Sequence, residues 1–388
     1  MSSRPVSASR RILLVVLLGA MLMGGCLPTG AVSAPTAGSK PAATLSAERS
    51  SERNRRDARA EVYLSGLQLP SALAFAPDGR LFLVEVNAGR VRVGKDGILQ
   101  PQPVATFPVQ QGSESGLLGL TLDPNFGANR HVYVYYSEAD PARPSHGLRN
   151  RVVRFVERDG GASDFTPILD DLPINEGGGM DAHQGGALGF GPDGKLYVTI
   201  GDTGRPELAQ DPTSLAGKVL RVNPDGSVPL DNPFPGSPVY ALGVRNLWGF
   251  AVHPKTGGVY LSENGNKAHD KVLLLRPGAN YGWPVVETVE GHSPFTSAVW
   301  DSGDSADSRN GMTGLMIYDG SMFPEHQGTL FFCAFRTGKL KWLALAGAGL
   351  EYADDQGRLD TECRLGLTQG PDGAMYASTI DKVLRLAR

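Results

Sequence analysis

Ala187-Leu188-Gly189-Phe190-Gly191-Pro192-Asp193-Gly194-Lys195-Leu196-Tyr197-Val198-Thr199 is one hairpin written out in full, two apolar strands hinged on a proline-aspartate-glycine turn. Proline presets the backbone angle for the turn, and glycine supplies the positive φ that a tight reversal needs. A lone hairpin leaves both faces uncovered and is marginal in water. Equivalent turns stand at Pro77, Pro124, Pro254, Pro324 and Pro371. Each runs into an apolar stretch: Leu81-Phe82-Leu83-Val84, Val132-Tyr133-Val134-Tyr135, Val259-Tyr260-Leu261, Leu330-Phe331-Phe332 and Met375-Tyr376-Ala377. A single β-sandwich does not account for one motif returning six times. Repeated units of this length predict an all-β chain folded as a six-bladed β-propeller over residues 60–388. Unequal spacing of the turns puts insertions in loops on one rim, where binding residues collect. A strand near Glu61 to Leu67 is expected to close the ring against Val383-Leu384-Arg385-Leu386.

The ends and the overall balance set the setting. The 388 residues include 50 glycines and 28 prolines, and the formal net charge of −3 gives no electrostatic footprint for nucleic acid. Arg4, Arg10 and Arg11 precede an apolar run, Ile12 to Met23, too short to span a bilayer. Residues 1–26 therefore read as a signal peptide. Its end, Leu22-Met23-Gly24-Gly25-Cys26, resembles a bacterial lipobox and predicts lipidation at Cys26. An ordinary secretory signal with an incidental cysteine is the alternative. Either reading makes the protein extracytoplasmic; the first makes it a membrane-anchored lipoprotein facing the periplasm or cell exterior. Residues 27–59 lack a hydrophobic face and read as a disordered linker. The remaining cysteines, Cys333 and Cys363, can pair in an oxidising compartment or stay as two buried thiols.

Three stretches carry chemistry. His183 sits in Asp181-Ala182-His183-Gln184-Gly185-Gly186, with Gly201-Asp202 at the end of the next strand. An imidazole held by a rigid turn can take a proton near neutral pH. Leu242-Gly243-Val244-Arg245-Asn246 leads into Trp248-Gly249-Phe250. The third stretch is Ser262-Glu263-Asn264-Gly265-Asn266, followed after a loop by Asn280-Tyr281-Gly282-Trp283-Pro284. On a propeller all three fall on one rim and converge on the central channel. A neutral imidazole, a guanidinium and exposed carbonyls suit an anionic guest with a cation beside it. Tyr281 and Trp283 read as packing and turn residues.

Together with Gly116-Leu117-Leu118-Gly119, Asp123-Pro124-Asn125-Phe126 and Leu215-Ala216-Gly217-Lys218-Val219-Leu220-Arg221 running to Asp231-Asn232-Pro233-Phe234, these stretches resemble the soluble quinoprotein sugar dehydrogenases. That is the glucose/sorbosone dehydrogenase family, aldose sugar dehydrogenases included, and the resemblance extends from about Leu67 to Arg388. It implies pyrroloquinoline quinone (PQQ) and calcium as cofactors and oxidation of an aldose at its anomeric carbon to a lactone. His183 would be the general base. Arg245 would serve both catalysis and the quinone, with Asn246, Glu114, Arg336 and Arg364 as further cofactor contacts. Backbone carbonyls of Gly265 and Asn266 would hold calcium. The partners implied are a small sugar and an external electron acceptor, since no haem-attachment motif is present.

Departures from the family pattern accompany the resemblance. Gly265-Asn266 stands where Gly-Pro is usual, and Asp270 alone keeps the acidic charge of that loop. Leu247-Trp248 replaces Pro-Gln, Arg336 falls where a lysine is expected, and one arginine of an Arg-x-Arg pair is missing around Arg364. Two other classes stay open at this stage: a cofactor-free propeller acting as an extracytoplasmic binding module, and a metal-dependent lactone hydrolase using Glu114, Asp202 and Glu263.

Overall fold

A computed structural model describes residues 58–139, 148–175, 182–288, 293–304 and 309–388. The signal peptide with Cys26 and nearly all of the linker lie outside the described residues. The linker's last position differs from expectation: Arg59 already belongs to a strand and pairs with Ala387.

The strands form six antiparallel sheets, and each proline turn joins the first and second strand of its own sheet. Blade 1 comprises Pro70–Phe75, Leu81–Glu85, Arg90–Lys95 and Ile98–Leu99, with Ala105–Thr106 added against its third strand. Blade 2 comprises Leu117–Leu122, His131–Ala139, Leu148–Arg158 and Gly161–Leu172. Blade 3 comprises Gly185–Phe190, Leu196–Ile200, Lys218–Val222 and Val239–Leu242. Blade 4 comprises Leu247–Val252, Val259–Glu263, Lys271–Leu274 and Trp300–Asp301. Blade 5 comprises Met312–Ile317, Leu330–Ala334, Lys339–Ala346 and Tyr352–Glu362. Blade 6 takes Leu367–Gln369, Met375–Ser378 and Lys382–Ala387, and its outer strand is Arg59–Ser65 from the other end of the chain. The first strands of the six blades touch in sequence around a closed ring. The predicted propeller and its closure are both observed.

Alternation explains how blades adhere. In Leu330–Ala334, entirely buried, Leu330, Phe332 and Ala334 face blade 4 while Phe331 and Cys333 face blade 6. An apolar layer of this kind lies between each neighbouring pair of blades. Near the axis the first strands crowd. A Cβ on Gly189 would sit 2.0 Å from the Phe250 ring, and one on Gly119 would sit 2.1 Å from the Gly186 carbonyl oxygen.

The turn aspartates do more than turn. Asp193 Oδ2 accepts hydrogen bonds from the Tyr197 hydroxyl (3.0 Å) and Arg221 Nε (2.8 Å) on the next two strands. Asp372 repeats this with Tyr376 (3.1 Å) and Arg385 (2.8 Å). Burial alone would raise the Asp372 carboxyl, but Arg385, the Ala374 N–H and Tyr376 outweigh it and hold it below its usual range. Among the described residues no helix is long and apolar enough to cross a membrane.

Candidate functional site

The segments leading into the first strands open on one rim, around a cavity of about 710 Å³. Glu114, His183, Arg245, Asn246, Gly265, Asn266, Arg336 and Arg364 all line it, whereas Asp202 and Glu263, the other two carboxylates considered for a hydrolase, are buried behind the wall.

His183 is fixed from both ends. Its backbone lies in the left-handed region at φ 62°, and its N–H donates to Glu114 Oε2 at 2.6 Å. Gly201 is needed beside it, because a Cβ there would sit 2.0 Å from the His183 carbonyl oxygen. On the ring, Nδ1 lies 2.7 Å from Asp202 Oδ1. Asp202 is fully buried and also accepts hydrogen bonds from the Gly204 N–H (2.9 Å) and Trp283 Nε1 (2.8 Å). A carboxylate receiving donors on both oxygens places the imidazole proton on Nδ1. In the neutral ring Nε2 is then the acceptor. The side chain keeps 19 % of its surface exposed toward the cavity.

Arg245 is placed by its neighbours on blade 4. Its N–H donates to Glu263 Oε1 (2.7 Å), Nη1 donates to the Asn264 carbonyl (3.0 Å), and the guanidinium lies 5.5 Å over the Trp283 ring. Burial lowers its pKa, opposed by the charges of Asp202, Glu263 and Glu114. Asn246 Nδ2 donates to the same Glu114 oxygen that holds His183, at 3.0 Å. Arg245 Nε, Asn246 Oδ1 and Asn264 Oδ1 are buried without a hydrogen-bond partner, and all three residues line the cavity. Unsatisfied buried polar atoms are costly, so three around one cavity mark where a polar guest completes the network.

Glu114 is the cofactor candidate whose role is most altered by the geometry, since its Oε2 is occupied in orienting His183 and Asn246. Arg364 is also partly engaged, with Nε on Glu362 at 3.1 Å and Nη1 on the Phe335 carbonyl. Asp270 does not present its charge to the cavity as a ligand. Its oxygens accept the backbone N–H groups of Gly265 (3.1 Å), Asn310 (2.6 Å) and Gly311 (2.9 Å), and burial raises its pKa against those bonds. Among the described residues no group of three or more histidine, cysteine or acidic side chains is placed to hold a metal. Gly265 and Asn266, expected to offer backbone carbonyls to calcium, lie on the cavity wall.

Sequence reasoning missed three contributors. Trp283, read as packing, is a hydrogen-bond donor to Asp202 and the surface under Arg245. Lys267 and Arg309 also line the cavity. The five cations lining it among the described residues, Arg245, Lys267, Arg309, Arg336 and Arg364, come from the arc of blades 4 to 6, with Arg245 at the end of that arc beside His183 and Glu114.

Cys333 and Cys363 are paired, Cα to Cα 4.9 Å across a sequence separation of 30. Cys333 lies two residues before the wall segment Phe335-Arg336, and Cys363 directly precedes Arg364-Leu365. Changing both cysteines to alanine is expected to lower stability by about 3–4 kcal/mol through loop-closure entropy. Guanidinium denaturation of the double variant beside the parent measures this.

A family model described as Glucose / Sorbosone dehydrogenase matches residues 67–388. The aldose sugar dehydrogenase of Escherichia coli is 27% identical, over 82% of this chain and 89% of its own length. Quinoprotein glucose dehydrogenase B of Acinetobacter calcoaceticus is 33% identical over 61% of this chain and 55% of its own. Among solved structures, the PQQ-bound aldose sugar dehydrogenase of Streptomyces coelicolor superposes with a TM-score of 0.72 at 27% identity, covering 85% of this chain and 98% of that one.

Proposed function

The chain belongs to the glucose/sorbosone dehydrogenase family, and from that premise we propose that it oxidises an aldose at the anomeric carbon to the lactone, with PQQ as the resident cofactor and His183 as general base. The observation that carries this reading is the His183 imidazole, clamped through Nδ1 by buried Asp202 and opening on the cavity that Arg245 also lines.

The wall suits PQQ. Cations on blades 4 to 6 match a guest bearing three carboxylates, and the unpartnered atoms of Arg245, Asn246 and Asn264 supply further polar contacts. When bound, PQQ supplies the acceptor for the two electrons and hydrogen leaving the sugar carbon. His183 Nε2 takes the proton from the anomeric hydroxyl as the C1–H bond breaks and C1=O forms. Asp202 stabilises the imidazolium so produced, and Trp283 keeps Asp202 in place. Arg245, pre-positioned by Glu263, Asn264 and Trp283, sets a fixed positive charge against developing negative charge without reorganising. Glu114 orients His183 and Asn246, while Arg336 and Arg364 hold cofactor carboxylates.

Calcium belongs to the same reading, with the Gly265 and Asn266 carbonyls as its protein ligands. Calcium takes about six to eight oxygens, so two carbonyls fit only a site that the guest and water complete. The expected result is conditional binding: in calorimetric titration the apoprotein takes calcium weakly, and PQQ and calcium each tighten the other. Tight calcium binding without PQQ contradicts this ligand set.

Adding PQQ and calcium to the apoprotein and following dye reduction over an aldose panel tests the function. Saturable reduction requiring PQQ supports it. Lactone hydrolysis without PQQ supports a hydrolase instead, although Asp202 and Glu263 are buried and already engaged with Trp283, Arg245 and Lys271. Inertness in both assays favours a binding module. We further propose an extracytoplasmic location, anchored through a lipid on Cys26. The Cys333–Cys363 pair supports an oxidising compartment.

A further inference from the structure

We propose that the preferred substrate is itself anionic: an aldose with an acidic group remote from C1, held by Lys267 and Arg309. The inference rests on the function proposed above and narrows its substrate class.

The cavity wall carries five side-chain cations and two carboxylates, Glu114 and Asp270. Both carboxylates are engaged within the protein, Glu114 by His183 and Asn246, Asp270 by three backbone N–H groups. In the function proposed above, Arg245 serves the reacting end, and Arg336 and Arg364 hold cofactor carboxylates. Lys267 and Arg309 have no role in that reading. Both are exposed, and neither has a carboxylate partner among the described residues. Three arginines elsewhere on the surface show the paired alternative. Arg80 pairs with Glu157, Arg221 with Asp231 and Arg385 with Asp372.

The two cations are also held on one frame. Asp270 Oδ1 binds the Gly265 N–H, and Oδ2 binds those of Asn310 and Gly311, so a single buried carboxylate ties their two loops together. Lys267 lies two residues beyond Gly265, and Arg309 adjoins Asn310. A guanidinium and an ammonium fixed on neighbouring loops fit a carboxylate or phosphate group, and a concave site lined by one sign of charge concentrates such anions. A uronic acid and a sugar phosphate share the required chemistry.

The test compares glucose, glucuronate and glucose 6-phosphate in dye reduction by the protein loaded with PQQ and calcium. At low salt, kcat/KM for at least one acid should exceed that for glucose by about tenfold or more, as one charge-assisted hydrogen bond provides. Which acid gains identifies carboxylate or phosphate. The advantage should collapse at about 1 M salt, where the screening length falls to about 3 Å. Lys267→Gln and Arg309→Gln should each cut the acid-to-glucose ratio about tenfold, and Lys267→Arg should restore it. PQQ affinity is measured on every variant by fluorescence titration. Glucose oxidised as well as both acids overturns the proposal and leaves the sugar dehydrogenase reading standing. So does a loss of PQQ affinity as large as the loss of acid turnover, because the two cations would then serve the cofactor. Absence of PQQ binding and of any sugar oxidation overturns the proposed function, and this proposal with it.

Discussion

Replacing His183 with alanine is expected to lower kcat by about two to four orders of magnitude, with PQQ affinity largely kept. The imidazole has its Nδ1 held by Asp202 and opens on the cavity. The cations that would hold the cofactor belong to other blades, so deleting the ring leaves them in place. Glu114 loses nothing either, because its bond to His183 is to the backbone N–H, which alanine retains. Turnover at saturating PQQ, set beside a PQQ titration, separates the two effects. A variant as active as the parent removes His183 from the chemistry. A variant that fails to bind PQQ makes it a cofactor ligand instead of the base.

Asp202→Asn is expected to cost nearly as much, about a hundred- to ten-thousandfold in kcat, although Asp202 is fully buried. Asp202 has two oxygens and three donors around it: the Gly204 N–H and His183 Nδ1–H on one, Trp283 Nε1–H on the other. An asparagine offers one oxygen. If that oxygen faces His183, the new NH2 opposes the Trp283 N–H and the indole under Arg245 is released. If the amide turns the other way, NH2 faces Nδ1, the imidazole proton moves to Nε2, and no acceptor is left for the sugar hydroxyl. Both orientations damage the site at nearly unchanged volume. A loss of kcat far larger than any change in PQQ affinity, in a variant still folded at the assay temperature, is the signature of this positioning role. Unchanged kcat would mean that the Asp202 contact does not select the catalytic tautomer.

How much of this was legible beforehand depends on the range of each interaction. The six proline turns sit within a few residues of the strands they join, so the propeller, its blade count and its closing strand could be read from pattern alone. His183 and Arg245 stood out because short glycine-rich motifs surround them. The groups that make them useful come from far along the chain. Trp283 lies 81 residues from Asp202, and Glu114 lies 132 from Asn246. No local period encodes such contacts, which exist only once the ring has closed. Lys267 and Arg309 were hidden for the same reason, as ordinary basic residues in polar loops until the blades bring them to the axis. The pairing of Cys333 with Cys363 was equally unreadable, since Cys363 lies beyond the fourth strand of blade 5 and meets Cys333, on the second, only in the folded sheet.

The central claim is that one cavity holds PQQ between the His183 side of the ring and the cations of blades 4 to 6. It is tested most directly by titrating the purified protein with PQQ in the presence of calcium, beside an Arg245→Ala variant. The account predicts saturation at one PQQ per chain, reduction of the bound quinone when an aldose is added, and clearly weaker binding in the variant. Failure of the parent protein to bind PQQ, or binding indifferent to Arg245, contradicts it.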